Sequence, residues 1–414
     1  MDVPLALLII MTEKKPLFYG WIVLTACSAV SFCWGIFFSY GLFLKPIAAD
    51  LGYGRGVISS AFSVFMVVSA ISGIFMGRLT DKHGTKLPLF ISGLLISIGL
   101  VLCSQIRCVW QLYLFYGIIS AGAGIVFTLP PATVQRWFVK RRGLALGIMS
   151  SGTGVGALIL APLISHLIAL YDWRVSFAIL GVFVFVIFLA AALIISPNPE
   201  IKGLKPYGDN GFIPPPKEVD EEKSGWNIRE LLQTKTFWLT NAICFFSILP
   251  TYLIAIHIDA FATDIGFSEK TAAFIFGLIF GVSVPGRIAG GIIAERIGWR
   301  KGILVCCVVC TFILLWLTMI KGPGLYIFAI IYGFFFGSRA AILLGLIGSL
   351  FGMRFLAGVL GIINISGFLG GAAGSSLAGF IFDNTGSYNA AFFVGALSWI
   401  IVGVASHFVK PLQS

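Results

Sequence analysis

Gly77-Arg78-Leu79-Thr80-Asp81-Lys82-His83-Gly84-Thr85-Lys86 is a charged turn bracketed by glycine and set between two long apolar runs. It returns 214 residues later as Gly291-Ile292-Ile293-Ala294-Glu295-Arg296-Ile297-Gly298-Trp299-Arg300. Gly77, Asp81, Lys82, Gly84 and Lys86 thus face Gly291, Glu295, Arg296, Gly298 and Arg300 in the same spacing. A further pair, Ser151-Gly152 and Ser366-Gly367, matches at an offset of 215. Matches at nearly one offset indicate an internal duplication, and such repeats place a substrate site at their interface near the bilayer midplane.

Outward from these turns, apolar runs of about 20 residues, the length that crosses a bilayer, recur twelve times. The interval 197–236 is different. It carries Pro197, Pro199, Pro206, Pro214, Pro215 and Pro216 and the charged run Glu218–Lys223, so it reads as a linker that cannot span. The expected layout is a leader at 1–16, a six-helix bundle at 17–196, a cytoplasmic linker at 197–236, a second six-helix bundle at 237–409 and a tail at 410–414. The fold class is an all-α membrane protein of two pseudo-repeat bundles.

Composition supports this. Hydrophobic residues make up 58% of the chain and charged residues 11%, against about 25% charged in soluble domains. That excludes a cytosolic enzyme, a secreted disulfide scaffold and a disordered hub. The net charge of +11 is read as basic residues flanking membrane spans, not as nucleic-acid binding. With the amino terminus inside, fourteen Lys and Arg fall on the cytoplasmic side and six on the other, leaving the linker aside. This bias puts both termini in the cytoplasm. Met1–Ile10 lacks a basic n-region and a clear cleavage site, and Met11-Thr12-Glu13-Lys14-Lys15-Pro16 reads as a cytoplasmic leader. The eight cysteines lie almost entirely in apolar runs, where thiols act as small hydrophobes. Neither a disulfide framework nor a metal site is expected.

The duplicated turn with twelve spans resembles the major facilitator superfamily. On physical grounds the Asp81 carboxylate can cap a helix amino terminus or pair with Arg136 or Arg141, making and breaking with a gate. Arg136-Trp137-Phe138-Val139-Lys140-Arg141-Arg142-Gly143-Leu144-Ala145-Leu146-Gly147, followed by Ser151-Gly152-Thr153-Gly154-Val155-Gly156, is similar to the fifth-span motif of monocarboxylate porters. Phe18-Tyr19-Gly20-Trp21 partly matches their first-span motif, without its opening acid. His257, Asp264, Gly266, Ala272, Ala273, Gly281, Gly286 and Arg287 resemble their seventh and eighth spans. The related oxalate/formate antiporters share much of this pattern. The resemblance implies the major facilitator fold, a secondary transporter, and Arg287 as the substrate-binding arginine. It is incomplete. Ser283 stands where many animal members carry an aspartate, and Phe38 near the place of their first-span lysine.

Read without the family, Arg287 and Arg339 are the two arginines inside spans, where an unpaired charge must face protein or a water-filled cavity. The amino-terminal half offers no acid or base deep in a span, so the central field is expected to be positive and to favour an anion. Arg287 gives a bidentate fork for a carboxylate. Arg339 is a second anion contact or a structural group. Tyr116, Ser283, Tyr332, Phe335 and Asn364 are candidate wall residues for the substrate. His257, Asp259 and Asp264 are candidates for proton coupling, with rim decoration as the plain alternative.

The expected function is proton-coupled symport of a small monocarboxylate of the lactate/pyruvate class by alternating access. The proton is the coupling ion and no cofactor is expected. Partners are the anion, the proton and the lipid bilayer, with no nucleic acid and no evident accessory subunit, and a monomer suffices. The place is a plasma membrane of prokaryotic inner-membrane type. The alternatives are an anion exchanger of the oxalate/formate type and, more remotely, a carboxylate sensor that does not transport. No nucleophile–base pair or phosphate loop suggests an enzyme.

Overall fold

The computed structural model describes residues 18–208, 232–351 and 356–410, with backbone alone at Asp81, Arg142, Gly348 and 356–362. The expected leader, most of the linker and nearly all of the tail lie outside the described residues.

The twelve spans are helices (Tyr19–Phe38, α1; Arg55–His83, α3; Lys86–Cys103, α4; Val109–Trp137, α5; Arg142–Tyr171, α6; Trp173–Ile194, α7), then six more after the linker. The second six are α8 (Lys235–Asp264), α9 (Glu269–Ile297), α10 (Trp299–Leu317), α11 (Gly324–Phe351), α12 (Leu356–Thr385) and α13 (Asn389–Phe408). A short helix, α2 (Gly41–Leu51), continues α1 after a break at Ser39 and Tyr40. Helices satisfy every backbone group within one segment, as a hydrocarbon solvent demands. The outward faces are correspondingly apolar, with Phe75, Val182, Leu193, Phe312 and Met319 all exposed. We refer to the end where α1 begins and α13 finishes as the near end, and to the opposite one as the far end.

The duplicated turn has a backbone cause. Gly84 and Gly298 end α3 and α9 with φ of 74° and 94°, and their amides donate to Thr80 and Ala294 carbonyls. Only glycine takes that conformation without strain, so both copies need glycine where the sequence repeats it. On the far side, Ser268 caps α9 through the Thr271 amide at 3.2 Å.

α5 winds irregularly. It widens over Tyr113–Ile118 and tightens over Ile119–Phe127. That tight stretch contains Ala121, Gly122, Ala123 and Gly124, small enough for α3 and α4 to approach its backbone. The Ser72 hydroxyl donates to the Ala121 carbonyl at 2.5 Å, supplying a partner that an irregular helix would otherwise leave short.

The halves meet toward the far end. A Cβ on Gly379 of α12 would lie 2.6 Å from the Gly56 Cα of α3. Ser63 of α3 bonds the Ser375 and Ser376 hydroxyls of α12 at 2.8 and 2.5 Å. Asp383 accepts from the Arg55 and Gly56 amides at 2.8 and 2.7 Å, so one half caps a helix of the other. At the near end, the start of the linker folds back on the first half. Tyr207 accepts from the Val139 and Lys140 amides and packs among Phe18, Trp21 and Phe138.

Candidate functional site

Eight of the helices, α1, α3, α5 and α6 from one half and α8, α9, α11 and α12 from the other, enclose a cavity of about 250 Å³. Its apolar wall includes Phe38, Met66, Phe127, Ile248, Phe336 and Phe368, and its polar wall includes Ser31, Ser150, Thr153, Thr251, Asn364, Arg287 and Arg339. A mainly apolar wall with a few convergent polar groups is what a small-molecule site requires. Both cations come from the second half, and among the described residues no carboxylate lines the cavity.

Arg287 reaches from α9 across the interface to α6. Its Nη1 donates to the Ser150 carbonyl at 2.5 Å and its Nη2 to the Thr153 hydroxyl at 3.2 Å. Its Nε is buried with no hydrogen-bond partner among the described residues. Arg339 on α11 is 6% exposed. It donates to the Ser247 hydroxyl at 3.4 Å and lies over the Phe336 ring at 5.5 Å, and its Nε is likewise unpartnered among the described residues. Neither guanidinium makes an ion pair among the described residues. Neutral acceptors hold the geometry but leave the positive charge uncompensated, an unfavourable state in a low-dielectric interior that an anion relieves.

Local sequence makes the approach possible. A Cβ at Gly337 would press on the backbone of Ser283, and one at Gly286 on that of Phe334. α9 and α11 therefore pack almost backbone to backbone, which brings Arg287 and Arg339 to one cavity.

The sequence-expected wall residues divide. Asn364 lines the cavity. Tyr116, Ser283, Tyr332 and Phe335 are not among its lining residues in this conformation. Tyr116 is packed against Tyr40 and Phe65. Tyr332 stacks on Phe328 at 5.2 Å and donates to the Pro250 carbonyl at 3.2 Å. The Ser283 hydroxyl turns back to the Phe280 carbonyl at 2.5 Å. Phe335 packs beside Phe334.

The candidate coupling residues lie farther out on α8. Asp264 is clamped between the halves, with Lys45 Nζ at 2.6 Å and Arg55 Nη1 and Nη2 at 2.5 and 3.0 Å. Asp259 is 8% exposed, and its Oδ1 is buried without a hydrogen-bond partner among the described residues. His257 is fully buried, with Nδ1 3.1 Å from the Tyr388 hydroxyl and Nε2 2.8 Å from the Ser375 carbonyl. Of the turn residues, Gly77 and Gly84 sit at the end of α3 with Lys82 and Lys86 exposed, and Glu295 and Arg296 are exposed at the end of α9. Arg136 is exposed at the end of α5, and Arg141 takes a left-handed φ of 59° before α6. The Asp81 side chain lies outside the described residues.

Sequence reasoning missed Ser150, Thr153, Thr251 and Tyr252 in the wall, and Arg55 and Tyr388 at the far end. Ser150 and Thr153 flank the Ser151-Gly152 pair of the duplication, a usable signal. Nothing local marks Tyr388, which reaches His257 from 131 residues away.

Comparison with known proteins agrees with this architecture. The sequence is 27% identical over 386 residues to the oxalate:formate antiporter of Oxalobacter formigenes, covering 91% of this chain and 88% of that protein. It is 26% identical over 423 residues to monocarboxylate transporter 12-B of Danio rerio, covering 92% and 85%. A bacterial homolog of the human lysosomal transporter Spinster, solved inward-facing and unoccupied, shares the fold at TM-score 0.72 and 16% identity over 96% of this chain and 97% of that one. The family model described as Major Facilitator Superfamily matches residues 23–338. With its twelve helices, duplicated turn and cavity walled by both halves, this chain is a multi-pass membrane transporter that belongs to the Major Facilitator Superfamily.

Proposed function

We propose that the protein carries a small monocarboxylate together with a proton by alternating access. The observation that carries this reading is Arg287, a guanidinium in a cavity of about 250 Å³ whose hydrogen-bond partners are all neutral. A carboxylate docking on its free edge supplies the missing charge through a bidentate contact. Thr153 and the Ser150 carbonyl hold the guanidinium, and Asn364 and Thr251 line the same cavity as polar groups for a 2-hydroxy or 2-oxo group. The apolar walls suit a short side chain. Asp259 and His257, both buried on α8, are the groups to carry the proton, so that anion and proton cross together without net charge. The near end faces the cytoplasm by the distribution of Lys and Arg. Resemblance to proteins named as monocarboxylate transporters supports the substrate class.

The test is uptake of labelled L-lactate into proteoliposomes, with and without an inward proton gradient, for wild type and Arg287→Ala. Gradient-driven accumulation is expected in wild type. The variant should lose about 10- to 150-fold in apparent affinity, the worth of a hydrogen bond to a charged group. Lactate uptake indifferent to the gradient, or unchanged in the variant, sinks the reading.

A second reading rests on Arg339, which brings its own uncompensated charge to the same cavity. Two such cations favour exchange of a dianion, in keeping with the resemblance to an oxalate:formate antiporter. Counterflow against a preloaded dicarboxylate, insensitive to pH, decides for it.

A further inference from the structure

The far end holds a chain of hydrogen bonds whose direction is fixed at every link. The Ser375 carbonyl can only accept, so Nε2 of His257 carries the proton facing it at 2.8 Å. In the neutral ring Nδ1 is then an acceptor, and the Tyr388 hydroxyl 3.1 Å away donates to it. With its one proton committed, the Tyr388 oxygen accepts from Arg55 Nη1 at 3.0 Å. The same guanidinium holds Asp264 through both Nη1 and Nη2. Burial keeps the Tyr388 phenol above its usual range despite the neighbouring Arg55, so it remains a donor. Arg55 belongs to the first half, and Tyr388, His257, Ser375 and Asp264 to the second.

We propose that this chain is a proton-sensitive latch in which Arg55 and Tyr388 are positioning residues, and that protonation of His257 releases the far end. A second proton on His257 would occupy Nδ1. The Tyr388 hydroxyl then loses its acceptor and must turn away, and its oxygen is left between two cationic donors. Among the described residues, the charged and titratable groups joined to His257 through this chain are Tyr388 beside α13, Arg55 of α3, Asp264 of its own helix, Lys45 of α2 and Asp383 of α12; Asp259 lies on the same helix, with Lys45, Asp264 and Glu269 near it. Asp264 is already bound by Lys45 and Arg55, and Asp383 by the α3 amides. Asp259 stands two residues from His257 on α8, a spacing at which helix side chains do not face each other, so no carboxylate among these is placed to pair with an imidazolium. Closure and protonation exclude one another, and by linkage an open far end binds the proton more tightly.

For the consequence, though not for the geometry, this rests on the symport reading: a protonated, unloaded carrier stays open at the far end, in the state that accepts substrate.

The experiment needs no substrate. Full-length protein in nanodiscs, with Cys108 replaced by serine, carries spin labels at Tyr53→Cys of the first half and Asn384→Cys of the second. Distance distributions are recorded between about pH 8 and about pH 5, the range in which histidine titrates. In wild type the far-open population should grow on acidification, its opening constant changing by up to about tenfold per pH unit for one proton. His257→Gln should abolish that dependence. Tyr388→Phe should raise the open population at about pH 8, and Asp264→Asn should open the far end at every pH. A distance independent of pH in wild type overturns the proposal, as does a pH response that persists in His257→Gln. If His257→Gln fails to fold, Tyr388→Phe decides, since a closed far end at high pH in that variant also overturns it. Lactate uptake indifferent to protons, beside a latch that still responds, would overturn symport alone.

Discussion

At the scale of single residues, a neutral first coordination leaves Arg287 available. Its partners, the Ser150 carbonyl and Thr153 hydroxyl, belong to the other half of the molecule. They fix the plane of the guanidinium without cancelling its charge, so they position the anchor and are not expected to touch the carboxylate. Thr153→Ala removes one long hydrogen bond from the charged guanidinium, at the low end of the range of about 1.5–3 kcal/mol that such bonds are worth, and part of that reaches a bound anion. The apparent KM for lactate should rise roughly three- to tenfold with little change in maximal rate. Uptake kinetics in proteoliposomes check this, and an unchanged KM shows that Thr153 does not orient Arg287. Arg287 was legible in the sequence because an arginine inside an apolar run needs an explanation. Thr153 was legible only as a neighbour of the repeated Ser151-Gly152 pair, because a threonine inside a helix needs no explanation of its own.

At the scale of elements, close packing of α9 on α11 brings two arginines to one cavity. A Cβ at Gly337 would meet the Ser283 carbonyl carbon at 2.7 Å and its Cα at 2.8 Å. Both are backbone atoms that cannot rotate away. Gly337→Val should therefore force the helices apart and cost about 1–3 kcal/mol, the usual range for overpacking. It is read as a lowered melting temperature in detergent. Gly147→Val on α6, where a Cβ meets nothing within 4 Å, is the control and should melt with wild type. Equal melting of the two variants would remove the packing argument. The wall residues that failed to reach the cavity belong here too. Tyr332 and Tyr116 are aromatic positions inside spans, and a position in a span names neither the face nor the depth at which its side chain emerges. Tyr332 is turned to a neighbouring helix by the Pro250 carbonyl and the Phe328 ring. Tyr116 lies where α5 departs from regular winding, so a regular spacing could not locate it.

At the scale of the whole molecule, both ion-pair contacts between the halves among the described residues, Lys45–Asp264 and Arg55–Asp264, are at the far end. The structure is thus closed there, and alternating access requires that seam to part. Gly379 sits in it against Gly56 and the Arg55 carbonyl. Gly379→Leu should wedge the seam open, lengthening the far-end spin-label distance at all pH values and abolishing accumulation. A closed-state distance in that variant would show that the seam is not the moving surface.

The sequence alone determined the twelve helices, their pairing into two repeats, the glycines that end α3 and α9, and the arginine inside a span whose charge calls for an explanation. Each is local. Length and hydropathy set a span, a positive φ demands glycine, and a charge in hydrocarbon demands a reason. Only the tertiary structure decided that Arg339 shares the cavity of Arg287, that Asp264 is held by Lys45 and Arg55, and that Tyr388 joins His257 to that clamp. The contacts of Tyr388 with His257 and Arg55 join residues 131 and 333 positions apart, and that of Arg55 with Asp264 joins residues 209 apart. They depend on how closely helices approach and at what depth each side chain emerges, and hydrophobic periodicity carries neither quantity.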